Sequence, residues 1–422
     1  MPLLSRHCWP LVVVRAFFCL ALFIFGILAL RVDQILAVTL LSRVPRWYYP
    51  AIDMTKVYFL QLITFITSFA SPCKIKVSFR AQDLPELNTF RVDVDGNLIS
   101  SLSPNAVYIS NHQIYTDWIF FWFLSYTSNL ASSIYIVIKE SLSRVPLLGP
   151  GMLKFRFLFL LRKWENDKVK LTNRLLAIDA DARGMGPAAG VSLVASAQSS
   201  TPLIMQWPKG VSRNAQNISN YQLVIFPEGT VLSPHTRVRS QEYAAKLGRA
   251  HFEHLLLPRA RGLFLMLRLL RNTVDVVYDV TYGYSGLKPD EYGEQVFTLK
   301  RLYFGGRGPP AVNYHIRGFS IKDIPLGDDD SVDIDDVEPA VLKEFEDWLY
   351  NIWSEKDKLM QHFYDTGSFA SKDDHSLQTV VADFKLRSKF EILAPFTIPG
   401  TLFLLTYWIC KKLGAYGLSG ST

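Results

Sequence analysis

A histidine and an aspartate stand five positions apart in the segment Asn111–Trp118, which reads NHQIYTDW. Histidine is the side chain best suited to accept a proton near neutral pH, and a carboxylate on its other ring nitrogen fixes the tautomer and stabilises the imidazolium. No serine or cysteine nucleophile accompanies the pair in a nucleophile-elbow context. The simplest chemistry is therefore direct: His112 deprotonates a hydroxyl, which attacks an activated carbonyl, while Asp117 orients the base.

The spacing alone is weak evidence because many such pairs are incidental, so the surrounding elements matter. A short apolar run, Ala106–Ile109, precedes the motif and predicts a strand that leads into a loop. The aromatic stretch Trp118–Tyr126 predicts a helix directly after the loop. The pair is therefore expected where a strand meets a helix.

Short apolar runs separated by longer mixed segments predict an α/β fold with a mostly parallel, buried sheet flanked by helices. A helix over Pro339–Tyr364 carries apolar residues at helical spacing, and Gly367 is its expected stop. The other runs with strand character are Lys74–Arg80, Ser133–Ile138, Phe157–Leu161, Leu223–Phe226, Val274–Tyr282 and Val312–Ile316.

Two of these strands lead into residues suited to ligand binding, which open α/β sheets place at the carboxyl ends of their strands. The run Phe157–Leu161 is followed by Arg162, whose guanidinium suits a phosphate. The run Leu223–Phe226 leads into a tight turn with Glu228 at its tip. The plainer alternatives are a surface arginine in a salt bridge and an ordinary strand exit.

The composition indicates membrane segments, since 49% of the 422 residues are hydrophobic and the mean hydropathy is +0.13. The apolar stretches are Leu11–Leu30, Val57–Cys73 and Ile392–Cys410. A signal peptide is the alternative for the first, although no small-residue cleavage site follows it; the second suits an interfacial or a spanning helix. We expect membrane anchor segments in residues 1–73, a catalytic domain in 74–369, and a membrane segment with a tail in 370–422.

The net charge and the positions of cysteines and histidines indicate which partners, disulfides and metal sites to expect. The net charge of +7 favours anionic partners, and since lysines and arginines are dispersed we expect a phospholipid surface and no nucleic acid. Four widely spaced cysteines exclude a CxxC site and a disulfide framework. His251 and His254 have a spacing that suits a metal on one helix face, but the sequence offers no third ligand, so we expect ordinary helix residues and no metal.

The segment of residues 180–220, approximately, is rich in Ala, Gly, Ser and Pro and predicts a flexible surface insertion. It contains the glycosylation sequon Asn217-Ile218-Ser219, which stays unmodified if this face is cytosolic.

Taken together, the motifs resemble the glycerophospholipid acyltransferase family, typified by 1-acylglycerol-3-phosphate acyltransferases. Four sequence blocks appear in the family's order: NHQIYTDW, a stretch from Lys139 through VPLLG to Arg162, FPEGT at Phe226–Thr230, and LPRARGL at Leu257–Leu263. Trp118, the run RKWEND from Arg162 and the late run WSEKD resemble the lysocardiolipin and lysophosphatidylinositol acyltransferase branch. Val231 and the long insertion depart from that pattern.

The resemblance implies a role for each matched position. His112 would be the general base and Asp117 its orienting partner. The acceptor-binding residues would be Lys139, Arg162, Phe226, Glu228, Gly229 and Thr230, with Arg162 on the phosphate. The fourth block would shape the acyl-CoA site, with Pro258, Arg259 and Gly262 as its candidates.

The resemblance also implies the activity: acyl transfer from acyl-CoA, as co-substrate and without a cofactor, to the free hydroxyl of a lysophospholipid of the lysophosphatidylinositol or lysocardiolipin type. One alternative acceptor is 1-acylglycerol-3-phosphate, which would give phosphatidic acid. An alternative of another class is a catalytically silent lipid-binding scaffold. The expected location is the endoplasmic reticulum membrane, with the catalytic domain facing the cytosol.

Overall fold

The structure, a computed structural model, describes residues 9–161, 163–194, 204–212, 219–329, 332–371 and 374–419. Its helices are α1 (Trp9–Leu41), α2 (Pro45–Ala70), α3 (Asp117–Thr127), α4 (Leu148–Lys154), α5 (Trp164–Ala182), α6 (Pro234–Lys246), α7 (Ala260–Leu270), α8 (Gly293–Val296), α9 (Pro339–Thr366) and α10 (Thr397–Ser419). Its strands are β1 (Lys74–Arg80), β2 (Thr89–Val92), β3 (Leu98–Ser101), β4 (Asn105–Ser110), β5 (Ile134–Lys139), β6 (Leu158–Leu160), β7 (Tyr221–Ile225), β8 (Val276–Tyr284), β9 (Ala311–Phe319) and β10 (Leu377–Asp383).

Eight strands form one sheet in the order β10-β1-β9-β8-β4-β7-β5-β6, while β2 and β3 form a separate antiparallel pair. Within the large sheet, β4 is parallel to both β7 and β8, and β5 is parallel to both β6 and β7. In the described part of the chain, the β8–β9 and β1–β10 pairings are the antiparallel ones of this sheet. The predicted α/β fold with a mostly parallel sheet is confirmed.

The sheet is apolar on both faces because helices cover both, as the continuous hydrophobic runs predicted. In β4, Ala106 and Tyr108 face the layer that contains α1, α2 and α3. Val107 and Ile109 face the opposite layer, which contains α5, α7 and α9. The central strand that precedes the histidine motif is thus held rigidly between two cores.

Among the described residues, two helical stretches are long and apolar enough to cross a membrane, Pro10–Leu41 and Lys389–Lys411. The predicted terminal membrane segments therefore exist as helices, although the first extends well past Leu30. The stretch Val57–Cys73 falls mainly in α2, which buries one face against the protein. Strand β10 joins the sheet from beyond residue 369, and the division into domains remains a prediction.

Two local predictions can be compared with the structure, the helix at His251 and His254 and the insertion at residues 180–220. His251 and His254 lie in the loop between α6 and α7, so their predicted helix is wrong; the His254 amide instead donates to Asp357 Oδ1 (2.7 Å). In the segment 180–220, residues up to Ala182 belong to α5, and Arg183 donates to the carbonyl of Pro208 (2.9 Å). Asn217 lies outside the described residues.

Candidate active site

The histidine motif lies where β4 ends and α3 begins, as the sequence predicts. Asn111 starts the loop, and its side-chain amide continues the strand pairing: it donates to the Tyr282 carbonyl (3.1 Å) and accepts from the Tyr282 amide (2.8 Å). His112 follows with its side chain 14% exposed, and Asp117, with no exposed surface, is the first residue of α3. His112 Nδ1 lies 2.8 Å from Asp117 Oδ2.

The Asp117 carboxylate is fixed by four hydrogen-bond donors. Its Oδ2 accepts from the backbone amides of Gln113 (2.7 Å) and Ile114 (3.2 Å) as well as from the imidazole. Its Oδ1 accepts from the hydroxyl of Tyr284. Burial, followed by the charge of Asp117, raises the pKa of Tyr284 well above its ordinary value, so this hydroxyl remains a donor. With Nδ1–H directed at the carboxylate, the free lone pair of His112 is on Nε2.

The FPEGT turn lies directly against the histidine. Strands β4 and β7 are parallel neighbours with Ile109 opposite Ile225, so the residues that follow each strand meet at one edge of the sheet. The Phe226 ring stacks on the His112 imidazole, with 4.3 Å between ring centres and 21° between planes. The stacked ring restricts rotation of the imidazole and excludes water from one of its faces.

Glu228 is buried, with 3% of its surface exposed, and both of its oxygens bond to the protein. Oε2 accepts from the His112 backbone amide (3.2 Å), and Oε1 accepts from Trp353 Nε1 (3.3 Å). Burial raises the pKa of Glu228 to about 8, while these two donors and the charge of Lys356 oppose the rise. Glu228 is therefore placed to hold the backbone of the loop that carries His112, the catalytic loop (residues 111–116).

The fourth block packs beside this turn. The Arg259 amide donates to the Pro227 carbonyl (2.8 Å), and a Cβ added at Gly229 would lie 3.8 Å from Arg259 Cδ. Gly229 has φ of +74°, a conformation that glycine adopts without the penalty other residues incur. Beyond the half-buried Thr230, the Leu232 amide donates to the His112 carbonyl (3.0 Å). Pro258 is buried, and Gly262 lies in the first turn of α7.

The second block reaches the same edge of the sheet farther from the histidine. Lys139 is the exposed last residue of β5, and its register partner in β6 is Leu160. Arg162 lies outside the described residues, so its contact with a phosphate stays a prediction. The start of α3 at Asp117 agrees with the helix predicted from Trp118, and the amides of Gln113 and Ile114 bind the Asp117 carboxylate.

Sequence reasoning missed two residues that support the site, Tyr284 and Trp353. Tyr284 lies on the same face of β8 as Tyr282, but the predicted strand ends two residues before it. Trp353 was expected on an apolar helix face and in the WSEKD run that resembles the branch, but nothing in the local sequence indicates its hydrogen bond to Glu228. Of the described residues, no group of three or more His, Cys, Asp or Glu side chains is arranged to hold a metal.

Comparison with known proteins agrees with this geometry. Residues 91–284 match the family described as Acyltransferase, and residues 303–385 match Acyltransferase C-terminus. The 2-acyl-1-lysophosphatidylinositol acyltransferase of Saccharomyces cerevisiae is 39% identical over 395 residues, which cover 93% of this chain and 94% of that protein.

Two animal proteins are more distant relatives. Lysophosphatidylinositol acyltransferase 10 of Caenorhabditis elegans is 28% identical over 279 residues, 65% of this chain and 56% of that protein. Lysocardiolipin acyltransferase 1 of Gallus gallus is 27% identical over 315 residues, 74% of this chain and 65% of that protein. With both family regions matched and the histidine–aspartate pair assembled, the chain belongs to the acyltransferase family and is an enzyme of that family.

Proposed function

We propose that this enzyme is a membrane-bound lysophospholipid acyltransferase that moves an acyl group from acyl-CoA to the free hydroxyl of a lysophospholipid. The observation that carries the proposal is the contact of His112 Nδ1 with the fully buried Asp117 carboxylate, which leaves Nε2 free to act as a base. The apolar terminal helices support a membrane location and therefore a lipid acceptor.

The reaction needs one proton transfer to His112 and one proton transfer from it. His112 Nε2 takes the proton of the acceptor hydroxyl as its oxygen bonds to the thioester carbonyl carbon, and Asp117 stabilises the imidazolium that forms. The tetrahedral intermediate then breaks its carbon–sulfur bond, and His112 returns the proton to the departing CoA thiolate. A thioester is already activated, so these residues suffice for general base catalysis.

Lysophosphatidylinositol is the acceptor we favour, because the relative from Saccharomyces cerevisiae, whose name specifies it, aligns along nearly the whole chain. Lysocardiolipin is the next candidate, and 1-acylglycerol-3-phosphate is the third. The acceptor would bind with its phosphate near Lys139 and Arg162 and its glycerol beside Phe226, Gly229 and Thr230. Acyl-CoA would approach along the fourth block, where Pro258, Arg259 and Gly262 lie.

The test is release of CoA thiol and formation of phospholipid in membranes that contain the full chain, with each of the three lysolipids offered separately. His112→Ala should abolish both signals. His362→Ala is the matched control, since His362 is a partly buried histidine on α9 whose ring contacts the Ala370 carbonyl (3.4 Å). Equal rates for His112→Ala and wild type would refute the catalytic assignment and favour a silent lipid-binding scaffold.

We infer that the enzyme resides in the endoplasmic reticulum membrane with its catalytic domain in the cytosol. In sealed microsomes, added protease should digest the catalytic domain, and deglycosylation should cause no mobility shift at Asn217. Protection of the domain from protease would overturn this placement.

A further inference from the structure

A buried lysine lies beneath the FPEGT turn, on the helix that the acyltransferase C-terminal region contributes. The Lys356 side chain has no exposed surface. Its Nζ lies 2.6 Å from Asp279 Oδ1 and donates to the Val280 carbonyl at 2.7 Å. A buried ammonium is costly unless it is paired and hydrogen-bonded, so the ion pair with Asp279 and the hydrogen bond to the Val280 carbonyl, both on β8, determine its position.

Contacts connect this lysine to the sheet on one side. Asp279 Oδ2 accepts from Arg317 Nε (2.9 Å), and these two residues are register partners on β8 and β9. On β4, Ser110, two residues before the catalytic histidine, is the register partner of Val280. Lys356 is thus bonded to the strand next to the one that carries the catalytic loop.

On its other side the lysine faces the support of the catalytic loop. Its Nζ lies 5.1 Å from the ring centre of Trp353, one helical turn earlier. Trp353 donates to Glu228 Oε1, and the His112 amide donates to Oε2. A path of direct contacts therefore runs from the β8 strand through α9 to the backbone of the catalytic base.

The donors around Glu228 suit its ionised form, which predominates above the pKa of this group, about 8. Both protein partners are N–H groups, and a carboxylate accepts from both, whereas a protonated carboxyl would direct its O–H toward one of them. Burial raises the pKa of this group to about 8, and the positive charge of Lys356 counteracts that rise. Removing the ammonium would favour the protonated form and weaken the bond to the His112 amide.

We propose that Lys356 is a positioning residue for acyl transfer: bound to Asp279 and the Val280 carbonyl, it fixes the Trp353–Glu228 pair that holds the His112 backbone. Nothing in the sequence motifs assigns it such a role. The inference rests on the proposed function, because it concerns the geometry of the base in that reaction. It gives the C-terminal region a specific task, support of the catalytic loop from α9.

Lys356→Met tests the proposal, with Lys56→Met as a matched control. Lys56 is another lysine whose side chain has no exposed surface; its Nζ contacts Asp53 (3.0 Å) and donates to the Ser132 carbonyl (3.1 Å). After its removal, Asp53 keeps Arg156 as a partner (3.2 Å). The full-length enzyme in membranes is assayed for kcat and KM from pH 5.5 to 9, and thermal unfolding monitors folding.

For Lys356→Met we expect kcat at pH 7 to fall by up to about 100-fold, since small displacements of a base carry costs of that order, with KM unchanged. The acid limb of the kcat profile should move to higher pH, because Glu228 loses a neighbouring positive charge. Lys56→Met should leave that limb where it is. The inference would be overturned if Lys356→Met kept the kcat of wild type and the pH of its acid limb. It would also be overturned if the acid limb of Lys56→Met moved as far as that of Lys356→Met.

If Lys356→Met fails to fold, Trp353→Phe decides, because it keeps an aromatic ring and removes the Nε1 donor to Glu228. A reduced kcat at constant KM supports the proposal, and a wild-type kcat refutes it. Absence of acyl transfer by the wild-type enzyme with every lysolipid would count against the proposed function, whereas an active wild type with unaffected variants would count against this inference alone.

Discussion

Replacing Asp117 with asparagine tests whether the charge of the buried carboxylate, and not its shape, drives catalysis. An asparagine carbonyl oxygen can take the place of Oδ2, which receives His112 Nδ1 at 2.8 Å and the Gln113 amide at 2.7 Å. The new amide group would then face Tyr284, whose hydroxyl can rotate from donor to acceptor. Because local hydrogen bonding survives, the variant should fold and lose the negative charge alone.

The size of the effect follows from the distance between the two charges. An imidazolium and a carboxylate about 4 Å apart attract each other by about 4 kcal/mol at an effective dielectric constant near 20. His112 is 14% exposed, so solvent screening reduces this to about 3 kcal/mol. Each 1.36 kcal/mol changes a rate about tenfold, so kcat should fall by about 100- to 1,000-fold, with KM little changed.

The assay is initial-rate release of CoA thiol with saturating lysolipid, for wild type, Asp117→Asn and Tyr284→Phe. The second variant removes one hydrogen bond to the Asp117 carboxylate, worth about 0.5–1.5 kcal/mol, so its rate should fall by about tenfold or less. If Asp117→Asn stays within tenfold of wild type, or Tyr284→Phe loses as much, the electrostatic reasoning is wrong.

Two further predictions concern the FPEGT turn. Burial raises the pKa of Glu228 from 4.5 to about 8, so the wild type loses stability as pH rises between those values. The free energy of unfolding of Glu228→Gln relative to that of wild type should therefore increase from pH 5 to pH 8, by at most about 1.4 kcal/mol per pH unit, and a pH-independent difference would contradict the assigned shift. Gly229→Ala should lower the free energy of unfolding by about 1–2 kcal/mol, because φ is +74° at this position. The control is Gly262→Ala, because Gly262 lies in helix α7 and a Cβ there would meet no atom within 4 Å. Denaturant titration should therefore show equal or greater stability for this control. Equal losses of stability in both variants would argue against backbone strain at Gly229.

The catalytic pair was predictable because its determinants are local. An apolar run, a polar loop and an aromatic helix follow each other within about twenty residues, and β4 and α3 appear within one residue of the predicted ends. The contact between His112 and Glu228 joins residues 116 positions apart. Nothing in the pattern of either segment sets β4 beside β7. The resemblance to a family placed Glu228 in the site as an acceptor-binding residue, and neither the resemblance nor the residues predicted its bond to the His112 amide.

The supporting residues were not predictable because their positions depend on strand register and helix packing. Tyr284 reaches Asp117 since β8 pairs with β4 in a register that no hydrophobic pattern specifies. The sequence indicated burial of Lys356 only weakly, because this cation lies on the same helix face as the buried Trp353, Met360 and Phe363. The helix predicted at His254 is wrong because its loop is held by bonds to Asp357 and Gln361 on α9.

The catalytic base lies between two buried acidic side chains with different tasks. Asp117 acts on the imidazole ring, and Glu228 acts on the backbone amide of the same residue, His112. Each carboxylate needs protein donors in place of water, and these come from β8 through Tyr284 and from α9 through Trp353. The geometry of the base therefore depends on closure of the whole α/β unit. A relative that keeps both motifs but lacks the α9 contacts should bind its substrates and turn them over slowly, so motif matching alone overstates activity in such proteins.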